Sequence, residues 1–185
     1  METLANGFTL PLFAMSQDNV LFQDLFDIKD INPNGKRFDR VSRLLARSEN
    51  YEMDLTLDYN SEIYPLEVTD KVSLVLASSL SLEAVTESAV TSAGAGAGTA
   101  PEKRESWRER APGERDLSDE YEYVMFGKVY RYDDAASGNG ATALSVGQRV
   151  SVYASFGGLL MCLEGDYRHL QNITVGENIY LLLRK

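Results

Sequence analysis

Few residues in this chain could carry covalent or acid–base chemistry. Its one cysteine, Cys162, and its one histidine, His169, are the only pair able to form a thiol–imidazole nucleophile. Cys162 sits inside the apolar run Leu159-Leu160-Met161-Cys162-Leu163, whereas His169 belongs to Asp166-Tyr167-Arg168-His169-Leu170, which reads as one helical turn. The two look unrelated. Structural zinc cannot be assembled from one cysteine and one histidine without several carboxylates. Asp119-Glu120 and Asp133-Asp134 are adjacent in sequence, point apart, and read as solvated turn charges. Gly94, Gly96 and Gly98 lack the Gly-Lys-Ser/Thr of a phosphate loop, and Thr99 breaks dinucleotide spacing, so that stretch reads as a flexible linker. Asn172-Ile173-Thr174 fits a glycosylation sequon but comes without a secretion signal, and is taken as an accidental match. No catalytic, metal or cofactor site is expected.

Binding chemistry is better represented. Lys36, Arg37, Arg40, Arg43 and Arg47 cluster in sequence, and the chain has ten tyrosines. A single-strand nucleic-acid binder stacks bases on exposed aromatics over a basic groove, so an autonomous binder of that kind is one candidate. Against it stand a formal net charge of −10 and the interleaved Asp39 and Glu49, since an acidic chain repels phosphate backbones. With 185 residues and 44% hydrophobic content the chain can bury a real core. A lone cysteine fits a reducing compartment, and no apolar run approaches the ~20 residues of a membrane helix. A soluble, intracellular protein with no membrane partner is expected.

The elements that position these residues have a period of two. Val150, Val152, Ala154 and Phe156 alternate with Arg149, Ser151, Tyr153 and Ser155, the mark of a half-buried strand. Gly157-Gly158 then permits the positive φ of a tight hairpin or a sharp barrel corner. In the returning strand Leu159, Met161 and Leu163 share one face while Leu160 and Cys162 take the other. That strand is therefore either central in the core or meets something else on its outer side. Upstream, strands are expected around Phe26–Lys29, over roughly Phe38–Ser48 with the inward choice between Leu44 and Leu45 open, and around Met53–Asp58. Another follows over Lys71–Ser79, with Val72, Leu74 and Leu76 inward. Ile63-Tyr64-Pro65 can only be an edge or a strand end. Tyr121–Tyr132 is apolar on both faces and is placed centrally, Ser137-Gly138-Asn139-Gly140 is turn chemistry, and Ile179–Leu183 closes the sheet. About eight short strands without a long helix point to an all-β barrel or sandwich.

Residues 1–19 read as a flexible N-terminal extension, and 20–185 as a single domain interrupted by a flexible insertion over 81–119. Leu82 and Val85 could extend the preceding strand briefly. Trp107, the one tryptophan, lies among Arg104, Arg108 and Arg110 in that insertion. It is either a solvent-exposed linker residue or an anchor docked on the barrel or a partner.

Several separated blocks then stand in a telling order. They are Phe26-Asp27-Ile28-Lys29, then Gly35-Lys36-Arg37-Phe38-Asp39-Arg40-Val41-Ser42-Arg43, then Tyr123-Val124-Met125-Phe126-Gly127, and finally Ser155-Phe156-Gly157-Gly158-Leu159-Leu160-Met161. In order and spacing this resembles the small β-barrel subunit, eighth in rank, shared by nuclear RNA polymerases I, II and III, over about residues 20–185 apart from the insertion. The Ser106-Trp107-Arg108 run is similar to that of the family's fungal members. The family usually carries a basic residue where Cys162 stands, a departure that could cost one surface contact.

The resemblance selects an antiparallel barrel of about eight strands, built from two half-motifs of the oligonucleotide/oligosaccharide-binding (OB) kind. It implies a non-catalytic assembly subunit, with nucleotide addition and its magnesium ions belonging to the partner. The implied partners are the largest subunits of RNA polymerases I, II and III and neighbouring subunits, with nucleic acid met only through the assembled enzyme. The implied location is the nucleus, both nucleoplasm and nucleolus. Contact is expected partly through strand edges and partly through apolar patches. The candidate interface comprises Lys36, Arg37, Arg40 and Arg43 of the basic turn, Trp107, and Phe156, Gly157, Gly158, Leu159 and Leu160 of the hairpin.

Overall fold

A computed structural model describes residues 19–33, 35, 38–81, 115–134 and 148–185. Eight antiparallel strands close into a barrel: β1 (Val20–Ile31), β2 (Val41–Ser48), β3 (Asp54–Asn60), β4 (Lys71–Ala77), β5 (Tyr123–Asp134), β6 (Arg149–Phe156), β7 (Leu159–Asp166) and β8 (Asn178–Arg184). Round the ring the order is β1-β2-β3-β7-β6-β5-β8-β4. The all-β barrel expected from the sequence is what the chain forms. One helical turn, α1 (Tyr167–Leu170), follows β7, its first turn capped by the Asp166 carboxylate accepting from the Arg168 N–H at 2.9 Å.

The ring is two copies of one motif. Strands β1 to β4 lie in the order 4-1-2-3, and β5 to β8 repeat it as 8-5-6-7, the Greek-key arrangement. The registers match residue by residue. Ile28 faces Ala46 as Val129 faces Ala154. At the seams between the halves, Leu55 faces Leu163 while Leu57 faces Met161, and Leu74 faces Leu183 while Leu76 faces Leu181. These reciprocal pairs are what a two-fold relation across the barrel generates. Both long strands also change partner part-way along, β1 at Phe26–Asp27 and β5 at Lys128, and each carries a bulge two residues further on, at Lys29 and at Tyr130. A bulge bends the strand and increases its twist, as closure of a small barrel requires.

Period-two alternation fills the interior. Phe22, Phe26 and Ile28 of β1, Leu55, Leu57 and Tyr59 of β3, and Val150, Val152 and Ala154 of β6 are all buried. Leu44 settles the choice in β2, being fully buried while Leu45 is only half-buried. A second, smaller apolar cluster lies outside the barrel. There Val75, Ala77 and Leu182 on the outer side of β4 and β8 are covered by Leu117, with Leu80 and Tyr121 packed against them. Leu117 begins a short 3-10 helix (Leu117–Glu120) held by a capping box on Asp116, and its N–H donates to the Leu80 carbonyl at 2.8 Å.

Four expectations need correction. β1 begins at Val20 rather than near Phe26, because its first half pairs with β4. β2 begins at Val41 rather than Phe38; Arg40 has φ +62°, which breaks the extended run, and Phe38 is 70% exposed. β5 is flanked by two strands, but its outer side is not buried: Val124, Phe126 and Tyr130 face solvent. Tyr64 and Pro65 lie in the loop after β3, outside any strand. Residues 1–18, Leu82, Val85, most of the 81–119 insertion and the Ser137–Gly140 turn lie outside the described residues.

Candidate protein interface

Alternating strand directions sort the connections between the two ends of the barrel. Because every pairing is antiparallel, the end of β1, the start of β2, the end of β3 and the β6–β7 turn all lie at one end, termed here the tip end. The basic turn and the double-glycine hairpin, about 120 residues apart in sequence, therefore share one end of the fold.

The two are joined by a carboxylate. Arg43 donates from Nε to Asp58 Oδ1 at 2.6 Å and from Nη2 to Oδ2 at 2.8 Å, while the Leu160 backbone N–H reaches Asp58 Oδ2 at 3.3 Å. Asp58 is only 9% exposed. A bidentate bond to an almost buried acid raises the Arg43 pKa above its ordinary value, the hydrogen bond to Asp58 being the main cause. Arg43 is thus a fixed strut rather than a free cation. Its backbone is clamped as well, since its N–H donates to Asn32 Oδ1 at 3.0 Å and its carbonyl accepts from the Asn32 N–H at 2.7 Å. Arg40 pairs with Glu62 at 3.3 Å, and its carbonyl accepts from the Ser61 N–H at 3.0 Å. Phe38 overhangs a cleft of about 340 Å³ that Ile31, Tyr59, Pro65 and Leu66 help to line.

At the hairpin, Gly157 and Gly158 have φ +63° and +100°, the backbone that a two-residue primed turn demands. Leu160 is 41% exposed on the outer wall, and Leu159 is half-buried. Phe156 is a correction to the candidate set. It is 5% exposed, with its ring in the core against Gly127, so it anchors the hairpin and offers a partner no side-chain surface. Lys36, Arg37 and Trp107 lie outside the described residues. Closure of the ring gives every strand a neighbour on each side, which leaves only the strand ends for strand addition.

Sequence reasoning pointed to the Tyr121–Tyr132 stretch without singling out individual side chains. The structure does: Phe126 is 47% and Tyr130 49% exposed, on the outer wall of β5. The signal was there in the apolar residues on both faces of one strand.

Cys162 and His169 each have their own surroundings. Cys162 lies on the outer face of β7, 3.6 Å from Glu164 Oε1, and burial together with that carboxylate pushes its thiol up to about 11. Such a thiol is a poor nucleophile. His169 stacks on Tyr51 with ring centroids 4.1 Å apart.

Comparison with known proteins gives the family. The model of the family described as RNA polymerase Rpb8 matches residues 23–185, which span every strand but the first residues of β1. The chain is similar to a Dictyostelium discoideum protein named DNA-directed RNA polymerases I, II, and III subunit rpabc3, 41% identical over 167 residues that cover 90% of this chain and 98% of the relative. It is similar to the Saccharomyces cerevisiae DNA-directed RNA polymerases I, II, and III subunit RPABC3, 38% identical over 170 residues covering 90% and 99%. It is also 35% identical to the Arabidopsis thaliana DNA-directed RNA polymerases II, IV and V subunit 8B, over 171 residues covering 92% and 99%.

Proposed function

The chain belongs to the RNA polymerase Rpb8 family, and on that premise we propose that it is a non-catalytic structural subunit common to nuclear RNA polymerases I, II and III. The observation that carries this reading is the near-complete coverage, 98% and 99% of their own length, of relatives named as shared polymerase subunits. Its partners are other polymerase subunits and its place is the nucleus. The finer reading is that the barrel docks on the largest, catalytic subunit of each enzyme, in nucleoplasm and nucleolus alike, and supports that subunit's fold during assembly. Nucleotide addition is then the partner's work.

The tip end is the preferred surface for this docking. Leu160 stands exposed beside a rigid two-glycine turn, and the Arg43–Asp58 strut ties that turn to the basic loop. A preorganised surface binds without a large ordering cost. The same struts argue against an autonomous single-strand binder. Arg40, Arg43, Arg47 and Arg149 are all in ion pairs, which leaves them poorly placed to neutralise phosphates.

The test is affinity purification of the tagged chain from nuclear extract, wild type beside Leu160→Asp. Largest subunits of all three polymerases should co-purify stoichiometrically with the wild type. Leu160→Asp should lower their recovery severalfold while the free chain keeps its melting temperature. Undiminished recovery would move the contact away from the hairpin.

A further inference from the structure

The barrel wall carries two outward apolar regions, and the described residues cover only one of them. On β4 and β8, Val75, Ala77 and Leu182 lie under Leu117, so the fold possesses a device for burying an outer face. On β5 and its neighbours no described residue does the same. Phe126 packs on Tyr180 with centroids 4.8 Å apart, and Tyr130 on Tyr153 at 6.2 Å, yet Phe126 and Tyr130 remain 47% and 49% exposed. The register makes this one continuous surface. Phe126 is opposite Tyr180, Lys128 is opposite Ser155 and that in turn opposite Leu160, and Arg131 is opposite Tyr153.

We propose that this wall is a docking surface in its own right, running back from the tip end, and that its occupant is an extended acidic segment with interspersed apolar side chains from a neighbouring polypeptide in the assembly. The proposal rests on the reading of the chain as a polymerase subunit. Charge supplies the occupant's chemistry. The chain's net charge is −10, and the cations Arg43 and Arg47 of β2 are tied to acids of β3; Lys128 is exposed and makes no ion pair among the described residues. Arg131, held to Asp133 at 2.6 Å, lies 5.5 Å from the centre of the Tyr153 ring. The unpaired Lys128 set among aromatic faces favours an acidic partner that also offers apolar groups to the rings.

Spacing supplies its conformation. Phe126 and Lys128 are two residues apart along the regular part of β5, with Tyr130 next at the bulge, and an extended peptide presents alternate side chains at a matching ~6.6 Å. Single-stranded nucleic acid fits less well, because one unpaired cation neutralises about one phosphate, a salt slope of only about −0.7.

The test is a photo-cross-link in the assembled enzyme. The variant Tyr130→p-benzoyl-phenylalanine is purified through a tag on this chain, irradiated, and the cross-linked peptide identified by mass spectrometry. The same probe placed by Lys29→p-benzoyl-phenylalanine, at the two-fold-related bulge, is the internal control. Expected is a cross-link from position 130 to one segment rich in Asp or Glu with apolar residues between. Its yield should fall at least fivefold in a Lys128→Glu background, with position 29 not reaching that segment. Incorporation without a cross-link, a cross-link to nucleic acid, or a yield indifferent to Lys128→Glu would overturn the surface. Absence of polymerase subunits from the purified wild-type chain would overturn the subunit reading, and this surface with it.

Discussion

The two halves of the barrel share a scaffold and diverge on the outside. Position by position, Arg47 and Asp54 of the first half, an ion pair at 3.7 Å, correspond to Ser155 and Leu160 of the second. Lys29 in the bulge of β1 corresponds to Tyr130 in the bulge of β5, and Ser73 on β4 to Tyr180 on β8. At these related positions one half therefore presents charged or small polar side chains, Arg47 and Asp54 as an ion pair, and the other presents Leu160 and two rings. Closure of the barrel depends on an apolar interior and on register, both kept in the two halves, so the outward positions are free to specialise. The ion-paired half reads as a solvated wall and the aromatic half as the one that meets a partner.

The interior differs in another way, and it gives the sharpest means of breaking the relation. In the first half the pair facing across β1 and β2 is Phe26 with Ser48, a large residue against a small one. Its counterpart across β5 and β6 is Gly127 with Phe156, small against large. Volume is kept while the sizes are exchanged. A Cβ added at Gly127 would lie 2.3 Å from the Ser155 carbonyl oxygen and 2.5 Å from Phe156 Cδ1. Backbone in a ladder cannot retreat cheaply, so Gly127→Ala should destabilise by about 3 kcal/mol. Urea unfolding would check it. Removing the ring as well, in Gly127→Ala/Phe156→Ser, should show a favourable coupling of ~1 kcal/mol relative to the two single variants. Strict additivity would mean that the two sites do not share a volume.

Much of this was legible in advance because one inward face leaves a period-two trace. The alternation from Val150 to Phe156, the glycine pair and the inward set Val72, Leu74, Leu76 all lie where that trace places them. Other features have no local signature. Alternation cannot distinguish a strand buried on both sides from one whose outer face awaits a partner, which is why β5 read as central although Phe126 is exposed. Phe156 falls in the alternation as an inward residue, and family resemblance nevertheless drew it into the interface set with its neighbours. The Arg43–Asp58–Leu160 bridge joins three strands and exists only once the ring has closed. The two-fold relation itself is invisible in the letters, since Phe26 and Gly127 occupy equivalent sites.

The ion-paired half should itself divide when tested. Arg43 makes two short bonds to an acid that is 9% exposed, and removing it would leave that carboxylate with the Leu160 N–H at 3.3 Å. Arg43→Met should therefore destabilise by about 2 kcal/mol, below the range for a fully buried pair because the Arg43 side chain is 44% exposed. Arg47 and Asp54 are both about half exposed, so Arg47→Met should change stability by less than ~0.5 kcal/mol. Equal losses at the two positions would show that burial of the acid does not govern the difference.

A smaller effect separates the halves at the turn before the last strand of each. In the first, the Thr69 N–H donates to the Ile28 carbonyl at 2.9 Å and the Ile28 N–H to the Asp70 carbonyl at 3.0 Å. In the second, Gly176 and Glu177 make the same two bonds with Val129, at 2.8 and 3.0 Å. The backbone at both corners is left-handed, with φ +81° at Thr69 and +92° at Gly176. Glycine adopts that region freely, whereas a β-branched residue held there costs about 1–3 kcal/mol. Thr69→Gly relieves that strain while loosening the unfolded chain, so the net gain should be about 0.5–1 kcal/mol, a rise of a few degrees in melting temperature. Gly176→Thr, the reverse exchange at the related site, should lower it by a similar or larger amount. The paired melts test the equivalence directly: the two halves need the same corner, and only one has the residue suited to it. A Thr69→Gly variant that melts lower than wild type would mean that the Thr69 side chain contributes something the corner geometry does not reveal.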